Sequence, residues 1–273
     1  MDQDPPAEFD TANIHLQILG EECLFALQVP LGRRRLLELL PAARELTHKA
    51  TAIAIRKARQ QGKEISCKAG CGICCRQLVA ISVVEAQAIA DVVAALPYNR
   101  QDVILERFAS AILHLEQAKL LNPQHRRGHR GLIAHGAGER RTLIDEVSKR
   151  YFKLQIPCPF LEDESCSIYP DRPLVCREYH VTSSAEHCAA LYQSPVEKVD
   201  LPLHMGDVLA STVARFTGIR DQTIPLILAL EWVESQEDKL NQPHDGKEMF
   251  MSLLSAIDHE NQQPFEKRQA AHI

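Results

Sequence analysis

The stretch Cys67-Lys68-Ala69-Gly70-Cys71-Gly72-Ile73-Cys74-Cys75 places four cysteines within nine residues. Thiolates packed this tightly repel one another unless a cation, oxidation or protonation relieves them. Gly70 and Gly72 favour tight turns over a continued helix. The stretch therefore reads as a loop that carries chemistry, and the fold has to be supplied by what flanks it. A second group lies downstream at Cys158, Cys166, Cys176 and Cys188, with seven, nine and eleven residues between successive members. Cys23 is the ninth cysteine and sits in a strand pattern far from the rest, where it reads as a small buried apolar side chain.

On the N-terminal side, residues 12–30 alternate as a β-hairpin, with Gly20-Glu21-Glu22 as the turn. From 35 to 61 the apolar residues Leu36, Leu39, Leu40, Ala43, Leu46, Ala50, Ile53 and Ala54 fall on one helical stripe, closed by Gly62. Pro41 predicts a kink or a detached first turn. On the C-terminal side, Ser82-Val83-Val84-Glu85 is a capping box that predicts a helix over 83–96, ended by Pro97. A helix over 100–121 follows, with Val103, Leu105, Phe108, Ile112, Leu115 and Leu120 available for burial. Residues 122–138 are rich in Gly, His and Arg. His125, His129 and His135 lie there without a carboxylate or cysteine beside them, so a solvated, mobile loop is expected. Helices are predicted over 138–154, 202–217, 223–240 and 247–261, with a polar tail from 262. The fold class is mainly α with a small N-terminal β-hairpin and cysteine-rich loops packed on helices. Three stretches are expected, 1–62, 63–190 and 191–273, packed as one unit.

The chain has 273 residues, of which 45% are hydrophobic, so it can build a core without cross-links. A net charge of −5 disfavours a non-specific nucleic-acid binder, and Arg33-Arg34-Arg35 and the 126–130 stretch read as solvated surface. The acidic start lacks the pattern of a signal peptide. No apolar run approaches a membrane span; the most apolar one, 223–233, contains Pro225 and Glu231. A cytoplasmic location is expected, where clustered cysteines serve as metal ligands more often than as disulfides.

The pair Cys71-Gly72-Ile73-Cys74 can bite one ion, and Cys67 can add a third sulfur. Cys75 points away from Cys74 in most backbone conformations, so it serves a second ion, bridges two, or stays a free thiol. In the second group Pro157, Pro159, Pro170 and Pro173 stiffen the loops. Asp171 as N-cap and Pro173 in the first turn predict a short helix carrying Cys176. Ser183 to Glu186 is a second capping box that predicts a short helix carrying His187 and Cys188. Arg76 follows Cys75 and Arg177 follows Cys176, where guanidinium groups can offset thiolate charge. Sulfur donors suit zinc or iron–sulfur clusters and exclude calcium and magnesium as primary ions.

Cys67-x3-Cys71-x2-Cys74-Cys75, followed by Cys158-Pro-Phe-Leu, Cys166-Ser-Ile-Tyr-Pro-Asp-Arg-Pro and Cys176-Arg, resembles the YkgJ-type cysteine-cluster family over about residues 63–190. The resemblance implies chelation of zinc or iron, a [4Fe-4S] cluster included, and a metal ion as partner. Carried over by position, it nominates Cys67, Cys71, Cys74, Cys75, Cys158, Cys166 and Cys176 as ligands, and Cys188 joins them beyond the clearest part of the motif. Flagellin lysine N-methylases look similar in this region, which would imply methyl transfer from S-adenosylmethionine. The chain shows no Gly-rich strand–turn–helix for that cofactor. The C-x3-C-x2-C spacing also coincides with the cluster triad of radical S-adenosylmethionine enzymes, without their β/α repeats. A thiol-redox or metal-handling factor is the third reading.

Overall fold

Strands β1 (Phe9–Ile18) and β2 (Glu21–Pro30) pair antiparallel in unbroken register, from Phe9 opposite Pro30 to Ile18 opposite Glu21. The turn is Leu19-Gly20, one step earlier than the sequence suggests. Both residues have positive φ, 49° and 79°, the twist that a two-residue hairpin loop requires. Gly20 adopts it freely, whereas Leu19 carries about 1–2 kcal/mol of strain. Alternation buries Leu16, Ile18, Phe25, Leu27 and Val29 on one face. Cys23 lies on that face near the turn and is half-buried rather than enclosed.

This is a computed structural model, and it describes residues 8–134, 140–219 and 223–262. After the short strand β3 (Arg33–Arg34), residues Leu36–Leu39 form a separate 3-10 turn, and helix α1 (Leu40–Gln60) begins behind it. Pro41 thus sits in the first turn of α1, where its missing N–H costs nothing, and detaches the preceding turn. Gly62, with φ 78°, stops the helix. Strand β4 (Ala80–Ile81) leads into α2 (Val83–Ala94), whose predicted capping box is present. In α3 (Tyr98–Gln117) the buried stripe is Ile104, Phe108, Ala111 and Leu115. Val103 and Leu105, expected inside, flank Ile104 and face outward. Each neighbour on a helix is rotated by about 100°, so a stripe shifted by one residue exposes both.

The chain continues through α4 (Arg140–Lys153), a small hairpin of β5 (Leu161–Glu162) and β6 (Ser165–Cys166), and the short helices α5 (Leu174–Glu178) and α6 (Ala185–Ala189). Helix α7 (Met205–Thr217) ends at Gly218 in the left-handed conformation. Then come β7 (Ile224–Pro225), α8 (Ala229–Leu240), β8 (His244–Asp245) and α9 (Gly246–Gln262). β7 pairs with β4, and β8 pairs with β3. The protein is mainly α with an N-terminal hairpin. Helix α2 packs on α8, α7 on α9, and α1 on both α5 and α7. One continuous cluster of buried apolar residues runs from Leu16 to Ile257. Among the described residues no helix is long and apolar enough to cross a membrane.

The histidine-bearing loop is exposed over 123–127, His125 included, as expected, but docked over 128–134. The Trp232 indole N–H donates to the Arg130 carbonyl (2.8 Å), and the Ser235 hydroxyl donates to the Gly128 carbonyl (2.6 Å). Arg130 forks onto buried Glu231 at 3.1 and 2.6 Å. His129 lies against Trp232. A tilted aromatic contact and a buried carboxylate partner were hidden about a hundred residues away in sequence. His135 and the tail from 263 lie outside the described residues.

Candidate metal centre

Two distant stretches are stitched together by their backbones. The Cys158 N–H donates to the Cys75 carbonyl at 2.7 Å, which sets the start of the second cysteine group against the end of the first. The Ser66 N–H donates to the Val181 carbonyl (2.9 Å), and the Val181 N–H donates back to Cys67 Sγ (3.4 Å). Gly72 makes the closest approach. A Cβ there would stand 2.5 Å from Leu161 Cδ1 and 2.9 Å from the Glu164 backbone. Only glycine lets the β5–β6 hairpin press onto the first loop. Across this seam Arg76 grips Glu164 with both terminal nitrogens at 3.0 and 2.6 Å and donates to the Gly72 carbonyl at 3.2 Å.

Each cysteine has an identifiable local support. Cys74 and Cys75 ride on a 3-10 turn (Ile73–Arg76), and α6, which carries Cys188, packs on that turn. Cys71 closes a tight turn onto the Lys68 carbonyl (3.1 Å), with Gly70 at φ 80°. Cys158 is followed by a bend in which Leu161 N–H donates to its carbonyl (2.9 Å), and Cys166 lies opposite Leu161 in the small hairpin. Glu162 in that hairpin is held from α3 by Arg100 (2.5 Å) and Arg107 (3.0 Å).

Buried carboxylates position the helix that carries Cys176. Glu85 completes the capping box of α2, accepting from the Ser82 N–H at 2.9 Å. Its other oxygen accepts from the Leu174 N–H at 2.7 Å, at the start of α5. Asp171 is therefore not the cap of α5, as the sequence suggests. It sits in a preceding 3-10 turn and pairs with Arg44 at 3.3 Å. At the other end of α5, Glu178 accepts from the Met205 and Gly206 N–H groups (2.6 and 3.3 Å), which caps α7. Both carboxylates serve helix N-termini, where orphan N–H groups and the helix dipole favour negative charge. Burial, with Asp207 nearby, still pushes Glu178 up to about 8. The second predicted capping box is shifted by one: Ser184 caps α6, and the Ser183 hydroxyl accepts from the Glu197 N–H instead.

The thiols lie within range of one another's charge. Burial raises Cys176 well above its ordinary value, and the charges of Cys158, Cys74 and Cys166 raise it further. Burial pushes Cys158 up to about 12, with Cys166 and Cys74 adding to it. Burial also raises Cys188, and Cys67, Cys74 and Cys71 reinforce the rise. Cys67 rises through burial and through Cys74 and Cys71, against the pull of the Val181 N–H. Cys74 is raised most by its hydrogen bond with Cys75, then by burial. Cys74 thus stands in both circles, one formed with Cys67, Cys71 and Cys188 and one with Cys158, Cys166 and Cys176. Without a cation, burial favours the protonated form of Cys67, Cys158, Cys166, Cys176 and Cys188, and the charge of neighbouring thiolates adds to it.

The two arginines singled out from sequence play backbone-binding and pairing roles. Arg177 donates to the Arg172 carbonyl (2.9 Å) and to the Pro170 carbonyl, and its charge also reaches Cys166. The guanidinium that faces both circles is Arg172, which lowers Cys67, Cys74 and Cys166. It lies 4.1 Å above the Tyr169 ring, and its buried Nε meets no hydrogen-bond partner among the described residues. Sequence reasoning missed it because no cysteine adjoins it. Tyr179 was missed as well. Its hydroxyl hydrogen-bonds Cys188 and accepts from the Gln77 amide at 3.4 Å.

All nine thiols are free. Among the described residues no group of three or more His, Cys, Asp or Glu side chains is already set to hold an ion. A tetrahedral zinc–thiolate site brings its sulfurs to about 3.8 Å from one another. The cluster here is gathered but not drawn to that spacing. Its donor chemistry nevertheless fits a thiophilic ion: the gathered donors are sulfurs, and a guanidinium with a spare N–H faces them.

A helical body presenting two thiol-rich loops to one another defines the class, a cysteine-cluster protein. Residues 66–194 match the family described as CxxCxxCC, "Putative zinc- or iron-chelating domain". The family label spaces its first two cysteines by two residues, whereas Cys67 and Cys71 are three apart. No curated protein and no solved structure matches the chain.

Proposed function

We propose that this protein chelates zinc or iron, the iron either bound singly or as an iron–sulfur cluster, between its two cysteine groups. The donors are drawn from Cys67, Cys71, Cys74, Cys75, Cys158, Cys166, Cys176 and Cys188. The observation that carries this reading is the backbone seam between the two groups, in which the Cys158 N–H meets the Cys75 carbonyl at 2.7 Å and the Val181 N–H meets Cys67 Sγ at 3.4 Å. Binding replaces the thiol protons by a divalent charge. Metal and protons therefore compete for the same sulfurs, so affinity falls as pH falls. The helices serve as a scaffold that delivers the loops, and Arg172 supplies positive charge where excess thiolate charge would accumulate.

Elemental analysis with an optical spectrum, on protein purified without air, tests this. Near-stoichiometric zinc in colourless protein, or iron with a brown chromophore that bleaches in air, is the expected result. Fully folded, metal-free protein with titratable thiols would contradict it. Replacing Cys176 by Ser should lower metal content and Tm together, whereas Cys23→Ser should leave metal content unchanged. Equal loss from both would show the site to be misassigned.

A further inference from the structure

Each of the two thiol circles has three sulfurs of its own, and the shared Cys74 can bring only one of them to four, here Cys158, Cys166, Cys176 and Cys74. If Cys74 serves that set, Cys67, Cys71 and Cys188 are left with three sulfurs, one short of the closed tetrahedral set of a structural zinc site. The structure holds a candidate for the fourth position next to Cys67. His180 directly precedes Val181, whose N–H lies 3.4 Å from Cys67 Sγ. One bond joins that nitrogen to the His180 carbonyl carbon, so the His180 backbone is within a few ångström of the Cys67 sulfur. Its own carbonyl accepts from the Val199 N–H at 2.8 Å, which fixes the residue against the 197–199 strap. Its ring Nε2 lies 3.0 Å from the Arg177 carbonyl. A carbonyl can only accept, so Nε2 carries the proton and Nδ1 presents a lone pair. That Nδ1 is buried and meets no hydrogen-bond partner among the described residues. His180 also feels the charge of Arg172, the guanidinium that faces Cys67.

A lone pair buried without a partner is unfavourable. An imidazole that donates one N–H to a backbone carbonyl and leaves its other nitrogen bare has the arrangement found in metal-ligating histidines. We infer that His180 is a metal ligand through Nδ1, completing a three-cysteine, one-histidine set with Cys67, Cys71 and Cys188. The inference rests on the chelating role proposed above and adds a donor that the cysteine motif does not contain. Cys75, hydrogen-bonded to Cys74 and holding Cys158 through its carbonyl, then acts as a support for the second set.

Zinc-edge X-ray absorption on protein loaded with Zn(II) under anaerobic conditions provides the test. The wild-type spectrum should show a sulfur-rich shell together with the outer-shell scattering of one imidazole. His180→Cys should retain zinc and lose the imidazole signal, whereas His180→Ala should lose zinc. A wild-type spectrum with sulfur alone, or imidazole scattering that persists unchanged in His180→Cys, would overturn the assignment while leaving chelation intact. Failure of the wild-type protein to hold zinc or iron at all would instead overturn the chelating role. If His180→Cys does not fold, His180→Asn carries the same comparison, with far-UV circular dichroism as the check on folding.

Discussion

The long helices and the cysteine loops are held by different forces. Leu39, Leu46, Leu209, Leu228, Leu253 and Ile257 have no exposed surface and pack against one another's helices. Over residues 66–78 only Gly72 is fully buried. What fixes that loop is a few backbone hydrogen bonds, the Arg76–Glu164 pair and the thiols themselves. Apolar burial contributes stability without a ligand, but buried protonated thiols supply no cross-link between the loops until a cation displaces their protons. The body is therefore built to stand alone, and the loops are built to be completed.

The comparison is most exposed by removing the metal. Structural zinc can contribute roughly 10–16 kcal/mol, so a chelator should lower Tm by many degrees. Hydrogen exchange should then rise steeply in 66–78 and 158–190 and little in α7 and α9. Uniform loss of protection would break the distinction. The next largest effect comes from the opposite region. Leu253→Ala in α9 should cost about 2–5 kcal/mol in chemical denaturation with metal content unchanged; a parallel fall in bound metal would show the two regions to be one.

Glu178 sharpens the boundary between them. Its carboxyl is raised to about 8 from an ordinary 4.5, chiefly by burial. The folded state therefore holds a proton that the unfolded chain releases. This contribution is complete below about pH 4.5 and is lost as pH rises through about 8. Glu178→Gln keeps an acceptor for the Met205 N–H and removes the titration. Unfolding free energies from urea titrations at pH 5 and pH 8 should differ by on the order of 2–4 kcal/mol more in wild type than in the variant. The smallest effect is expected at the seam. Gly72→Ala forces a methyl group toward the Glu164 backbone and should cost about 1–3 kcal/mol, with weaker zinc binding. Unchanged binding would mean that the approach of the two loops is not required.

Much of the body was legible because periodicity reports burial directly. The α1 stripe, the Ser82–Glu85 box and the hairpin alternation are all local signals. Local signals failed where a partner lay far along the chain. Glu85 reads as a capping residue of α2, yet it also caps α5 some ninety residues later, displacing Asp171 from that role. Val103 and Leu105 look as apolar as Ile104, and only packing decides which turns inward. In the site, the cysteine spacing nominated the sulfurs. Arg172 lies inside the quoted motif but was given no role there, Tyr179 and His180 lie outside it, and the placement of all three depends on how the 169–181 segment folds back onto Cys67.

The most direct test of convergence is the sulfur environment of the bound ion in protein purified without air. We predict about 2.3 Å metal–sulfur distances with sulfur as the dominant neighbour, lost on substituting a cysteine of either group, Cys71 or Cys176. Metal that survives both substitutions, or an ion surrounded by oxygen, would contradict the account.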